Sequence, residues 1–139
     1  SEPSVRIDVD IPERKMRVTI IIRRNRDPAL SSTHSVEMQF SGNDGFGGVA
    51  QVPVLRMKDS EAAPGVPLAG ISTRITYNFF LIGLSATQTD RERNLQRMKT
   101  LNWFEIPIVY ANGRRAVVTF EKGASGEKVL AEALAAWGN

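Results

Sequence analysis

The chain has 139 residues, 42% of them hydrophobic and 24% charged, which places it among globular folds and away from weakly hydrophobic, strongly charged compositions that stay disordered. It contains no cysteine, which excludes a disulfide framework, a thiolate nucleophile and cysteine-held zinc or iron–sulfur centres. Eighteen basic side chains against 15 acidic ones give a formal charge of +3, an excess too small to select a polyanionic partner by itself.

From Val5 the sequence alternates through Ile7 and Val9, and after Pro12-Glu13-Arg14-Lys15 it alternates again through Met16, Val18, Ile20 and Ile22. That pattern predicts a β-hairpin with one buried face. Period two returns from His34 to Phe40, a third strand. A glycine-rich loop, Ser41 to Gly48, follows, and Val49 to Lys58 resumes an extended pattern interrupted by Pro53. Proline cannot donate to a ladder, so this strand is expected at an edge or bulged. Asp59 to Pro67 has loop composition. Leu68 to Thr76 and Tyr77 to Ser85 read either as two strands turning at Asn78 or as one long bent strand.

Thr89-Asp90-Arg91-Glu92 fits a capping box, so a helix is expected over about 90–100, with Leu95, Met98 and Leu101 as its apolar face. Trp103 to Tyr110 and Arg114 to Glu121 flank Asn112-Gly113, the dipeptide suited to a two-residue type I′ turn. That register sets Tyr110 against Arg115, Val109 against Ala116 and Ile108 against Val117, with apolar residues on both faces, as in a central strand pair. A second helix is expected over about 126–137, capped by Ser125 with Glu127 in its first turn. Its stripe Leu130, Ala133, Leu134, Trp137 docks, and Gly138 stops it.

Strands outnumber helices and both helices come late, which disfavours a parallel βαβ sheet. The expected architecture is mainly β: an antiparallel β-sandwich or strongly curved sheet with two short α-helices. No repeat or linker divides the chain, so residues 1–139 read as one domain. The longest apolar run, Phe79 to Leu84, falls far short of the roughly 20 residues that a membrane helix needs. The opening Ser-Glu-Pro, with no charged or apolar leader after it, reads as the start of a segment excised from a longer chain.

His34 is the single histidine, and a hydrolase would have to combine it with Ser31, Ser32 or Ser35 and a carboxylate such as Asp27. No G-x-S-x-G elbow accompanies it, and an ordinary polar histidine at a strand start explains it better. Asp8 and Asp10 share a strand face near Glu13, which a solvated polar face explains without acid–base chemistry. The loop 41–48 precedes an extended segment, whereas a phosphate-binding loop opens a helix and carries a lysine and a hydroxyl. Arg23, Arg24 and Arg26, then Arg91, Arg93, Arg97 and Lys99, then Arg114 and Arg115 form basic clusters. They would make an anionic-partner patch for nucleic acid or acidic lipid only if they converge on one face. No metal-ligand spacing appears and no cofactor is expected.

Val66-Pro67-Leu68-Ala69-Gly70, Phe79 to Ala86, Arg93-Asn94-Leu95, and Trp103-Phe104-Glu105-Ile106-Pro107 onward to Trp137-Gly138 resemble an uncharacterised family of alphaproteobacterial proteins over nearly the whole chain. The resemblance implies a membrane-anchored parent with a transmembrane helix ahead of this C-terminal domain. It carries no activity and no site residues. A fainter similarity, in element order, is to the invasion-associated locus B family of secreted or periplasmic β-rich proteins, which usually carry cysteines. The expected function is a non-enzymatic, extracytoplasmic binding or scaffolding module for a protein or peptide partner, tethered to the inner membrane. The alternatives are a nucleic-acid or anionic-lipid binder and a small hydrolase using His34.

Overall fold

A computed structural model describes residues 2–42 and 45–138. Its strands are Val5–Ile11 (β1), Met16–Arg24 (β2), Ser32–Gly42 (β3), Val49–Gln51 (β4), Arg56–Lys58 (β5), Val66–Pro67 (β6), Gly70–Thr76 (β7), Phe79–Ser85 (β8), Trp103–Tyr110 (β9) and Arg115–Glu121 (β10). The helices are Gln88–Thr100 (α1) and Gly123–Ala136 (α2). All strand pairs are antiparallel, in two five-stranded sheets. The first runs β1-β2-β3-β8-β7; the second runs β10-β9-β5-β6, with β4 also on β9. The chain is therefore a mainly β, sandwich-like fold with two helices, one sheet curling over the other.

Period two builds the core. In the first sheet Val5 faces Ile22 and Ile22 faces Val36, while Val18 lies between Val9 and Phe40. Every second residue of β2 and β3 therefore points inward, and Val18, Ile20, Ile22, Val36 and Met38 are buried. Phe104, Ile106, Ile108 and Tyr110 answer from β9. The β4 ladder shifts register between Val49 and Gln51 and ends before Pro53, as a missing donor requires. Tyr77 and Asn78 form a tight turn between β7 and β8, with Asn78 at φ 68. The alternative of one long bent strand is excluded.

Four local expectations are corrected. The β9–β10 loop has three residues, Ala111-Asn112-Gly113, with Gly113 at φ 88, so Val109 lies opposite Arg115 and Ile108 opposite Ala116. A two-residue turn would have set Ile108 against Val117 and swung Ala116, Val118 and Phe120 away from the core, since a one-residue slip exchanges the faces of a strand. Second, β10 is an edge strand and Val117 is 56% exposed; only β9 is central. Third, α1 starts at Gln88 after Thr87, so Asp90 rather than Glu92 takes the third helical position. The Ser85 and then the Thr87 hydroxyl, bonded to the Asp90 carboxyl, lower its pKa. Fourth, α2 begins at Gly123, which puts Ser125 inside its first turn instead of at its cap.

Polar side chains hold the layers in place where apolar packing cannot fix position. Asn94, 1% exposed on α1, takes the backbone N–H of Ala69 on Oδ1 at 2.8 Å and donates from Nδ2 to its carbonyl at 2.9 Å. On the outer face of the second sheet, Glu105 receives Arg56 at 2.9 Å and Lys58 at 2.8 Å, and Lys58 also donates to the carbonyl of Glu61. The Lys58 bond, then the Arg56 bond, hold the Glu105 carboxyl below the usual range. Replacing Asn94 with alanine leaves the half-buried Ala69 N–H without its partner, while the Ala69 carbonyl keeps the Ser85 N–H, and a loss of about 1–3 kcal/mol is expected in denaturant unfolding. A loss below about 1 kcal/mol would show that α1 is not held through that side chain.

Candidate functional site

Among the described residues, the backbone bond that joins the two sheets lies on one side. There Asn78 accepts from the Phe40 N–H at 2.8 Å and donates its own N–H to the Val49 carbonyl at 3.0 Å, while its Oδ1 accepts from the Val49 N–H at 2.7 Å. From β7, Ser72 donates to the carbonyl of Val52 and Arg74 to that of Ala50. The strand edge near Pro53 is thus covered by the β7–β8 hairpin. On the other side, β1 and β10 each pair along one edge alone.

Between those edges lies a groove of about 280 Å³. Ile7 of β1, Phe120 of β10 and Val129 and Leu130 of α2 line it with hydrocarbon, and Arg6, Asp8, Glu121 and Lys122 form its polar rim. Val129 is 46% exposed. Asp8 is engaged by Thr19 at 2.8 Å and Arg6 at 3.1 Å, bonds that lower its pKa, the threonine's most. Lys122 turns inward to the Met98 carbonyl at the end of α1, at 2.8 Å. Burial brings its ammonium pKa below the ordinary lysine value, against the pull of Glu127. The groove therefore offers apolar contact, fixed charges of both signs and two strand edges.

His34 belongs to the core. It lies on the inner face of β3, 1% exposed, with its ring 5.2 Å from that of Trp137 and Nδ1 2.9 Å from the Thr33 hydroxyl. Trp137 in turn donates Nε1–H to the Pro3 carbonyl at 2.7 Å. Of the other hydrolase candidates, Asp27 accepts the Ala29 N–H on Oδ1 in a local turn. Burial first, then the charges of Arg24 and Arg26, push the imidazole pKa down to about 4. Asp8 and Asp10 project from β1 into separate pairs with Arg6 and Arg17.

The basic clusters are dispersed in part. Arg23 meets Glu37 at 3.5 Å on the outer face of the first sheet. Arg97 donates to the carbonyl of Pro67, Arg93 and Lys99 are exposed or partly exposed on α1, and Arg114 lies over the Phe46 ring at 5.3 Å. Arg115 stands at the far end of β9 from α1. Arg24, Arg26 and Arg91, from two of the clusters, line one cavity. In the glycine-rich stretch Asn43 and Asp44 lie outside the described residues; its Phe46 packs edge-on against Tyr110, 4.9 Å between centroids, and β4 follows it. Among the described residues no group of three or more acidic or histidine side chains is arranged to hold a metal ion. No helix among them is long and apolar enough to cross a membrane.

The groove and the paired edges carried no local signal in the sequence, because they arise from which strands the sheet order leaves unpartnered. Comparison of the chain with protein-family models, with curated protein sequences and with solved structures finds no match.

His34 gives a pH test. The folded chain protonates it near 4 and the unfolded chain near 6.5, so the unfolded state binds more protons in between. Its contribution is complete above the unfolded value and declines as pH falls toward 4. Between about pH 7 and pH 4.5 the wild type should lose about 2 kcal/mol more unfolding free energy than His34→Gln. Parallel pH profiles for the two chains would refute the buried neutral imidazole.

Proposed function

We propose that the chain is a non-enzymatic binding module that takes an extended peptide segment of a protein partner into the groove between β1 and β10. One observation carries this reading: two strand edges from different sheets, each unpaired on its outer side, border the same apolar groove. An added strand would satisfy the outward amides and carbonyls of either edge, and its alternate side chains would enter the groove. Ile7, Phe120 and Val129 suit apolar side chains, and the rim charges Arg6, Asp8 and Glu121 would set direction and register. The resemblance to a membrane-anchored family supplies the setting: a domain held at the inner membrane on its periplasmic side, sampling partners there.

The test uses the purified chain in a random-peptide display screen, with bound peptides mapped by amide exchange. Selected peptides should protect amides of β1 or β10. Val129→Arg, at an exposed position, should weaken them at least about tenfold, or 1.4 kcal/mol, without lowering stability. Peptides that protect β7 instead, or that ignore Val129→Arg, would contradict the reading.

A further inference from the structure

A second concave site lies at the end of β2, apart from the groove, and it has the opposite character. Its cavity of about 320 Å³ is walled by Arg24 at the end of β2, by Arg26 from the β2–β3 connection and by Arg91 from the first turn of α1, with Ser32 and Thr33 beside them. We propose that this cavity binds a phosphate-class oxyanion, either a free phosphate group or the headgroup of an anionic phospholipid.

Three features support it. The Arg24 guanidinium is anchored, donating from Nη1 to the Thr33 carbonyl at 3.1 Å, yet its Nε is buried with no hydrogen-bond partner among the described residues. A buried, unmatched N–H on a cation is costly, and an anion oxygen would satisfy it. Arg91 forms no salt bridge among the described residues. Its position beside Ala86 also brings the positive end of α1 to the cavity wall. Finally, the neighbouring carboxylates leave Arg24 and Arg91 without an ion pair among the described residues. Glu2 grips Arg26 through Nε and Nη2, both at 2.6 Å, and Asp27 accepts a backbone amide. With Arg26 held by Glu2, the anchored Arg24 and Arg91 are the two guanidinium groups that line the cavity without a carboxylate partner among the described residues, with Ser32 beside them, an arrangement suited to several oxygens on one centre.

Inorganic phosphate titrated into the chain, followed by amide chemical shifts, should give a saturable response centred on residues 24–33 and 86–91. Arg24→Gln and Arg91→Gln should each weaken it about tenfold, and Arg115→Gln by less than about twofold. Arg91 is exposed, so its variant tests the site even if Arg24→Gln impairs folding. Vesicles of neutral phosphatidylcholine with and without phosphatidylglycerol distinguish the sources. Arginine-dependent binding to the anionic vesicles with no response to free phosphate assigns the ligand to a headgroup; a response to free phosphate alone assigns it to a soluble phosphate. Absence of both, or equal losses in Arg91→Gln and Arg115→Gln, would overturn the proposal.

Discussion

Asn78 holds its backbone at φ 68 and makes three hydrogen bonds, to Phe40 of the first sheet and to both backbone groups of Val49 in the second. Two sheets stacked face to face are otherwise held by side-chain packing, which is non-directional and fixes their stagger poorly. Asparagine suits the position because it tolerates the left-handed region better than most residues and carries an acceptor to use there. Gly48 completes the arrangement, since a Cβ at that residue would come within 3.0 Å of the Asn78 amide. With the β7–β4 side joined in this way, the first sheet curls toward the second on one side, and β1 and β10 are left apart on the other.

Helix α2 occupies the gap this leaves. It departs from the end of β10, packs Leu130 and Leu134 into the core and delivers Trp137 onto His34 and Pro3. Its earlier turns do not reach β1 closely enough to exclude a groove, so the asymmetry that closes the fold also opens an apolar concavity. The same asymmetry separates chemistries. Hydrocarbon and strand edges lie beside the start of α2, and guanidinium groups lie where the β2–β3 connection approaches the start of α1.

Much of this was legible in the residues. The alternation of Val5 to Ile22 gave the first hairpin, and the stripe Leu130, Ala133, Leu134, Trp137 gave the buried face of α2, because both signals arise from burial of one side of a regular element. The errors were local degeneracies. Thr87-Gln88-Thr89-Asp90 presents nearly the same capping pattern as Thr89-Asp90-Arg91-Glu92 two residues later, and Asn112-Gly113 serves a three-residue loop as readily as a two-residue one. Only the demand that Val118 and Phe120 face Ile106 and Phe104 decides that register, and it is a tertiary demand. The burial of Lys58 and Asn94 carries no local signal, because nothing near them in sequence shows that Glu105 or Ala69 will meet them. The convergence of Arg24, Arg26 and Arg91 was legible as a condition to be met; the dispersal of the remaining arginines was not.

The account thus rests on a sandwich that is knotted by backbone hydrogen bonds on one side and open on the other. Native-state amide exchange on the free chain tests that most directly. The Phe40, Val49 and Asn78 amides should exchange only with global unfolding, while the outward amides of β1 and β10 should exchange orders of magnitude faster through local opening or direct solvent contact. Equal protection of the two sides, or faster exchange at Val49 and Asn78 than at the outer edges, would contradict it.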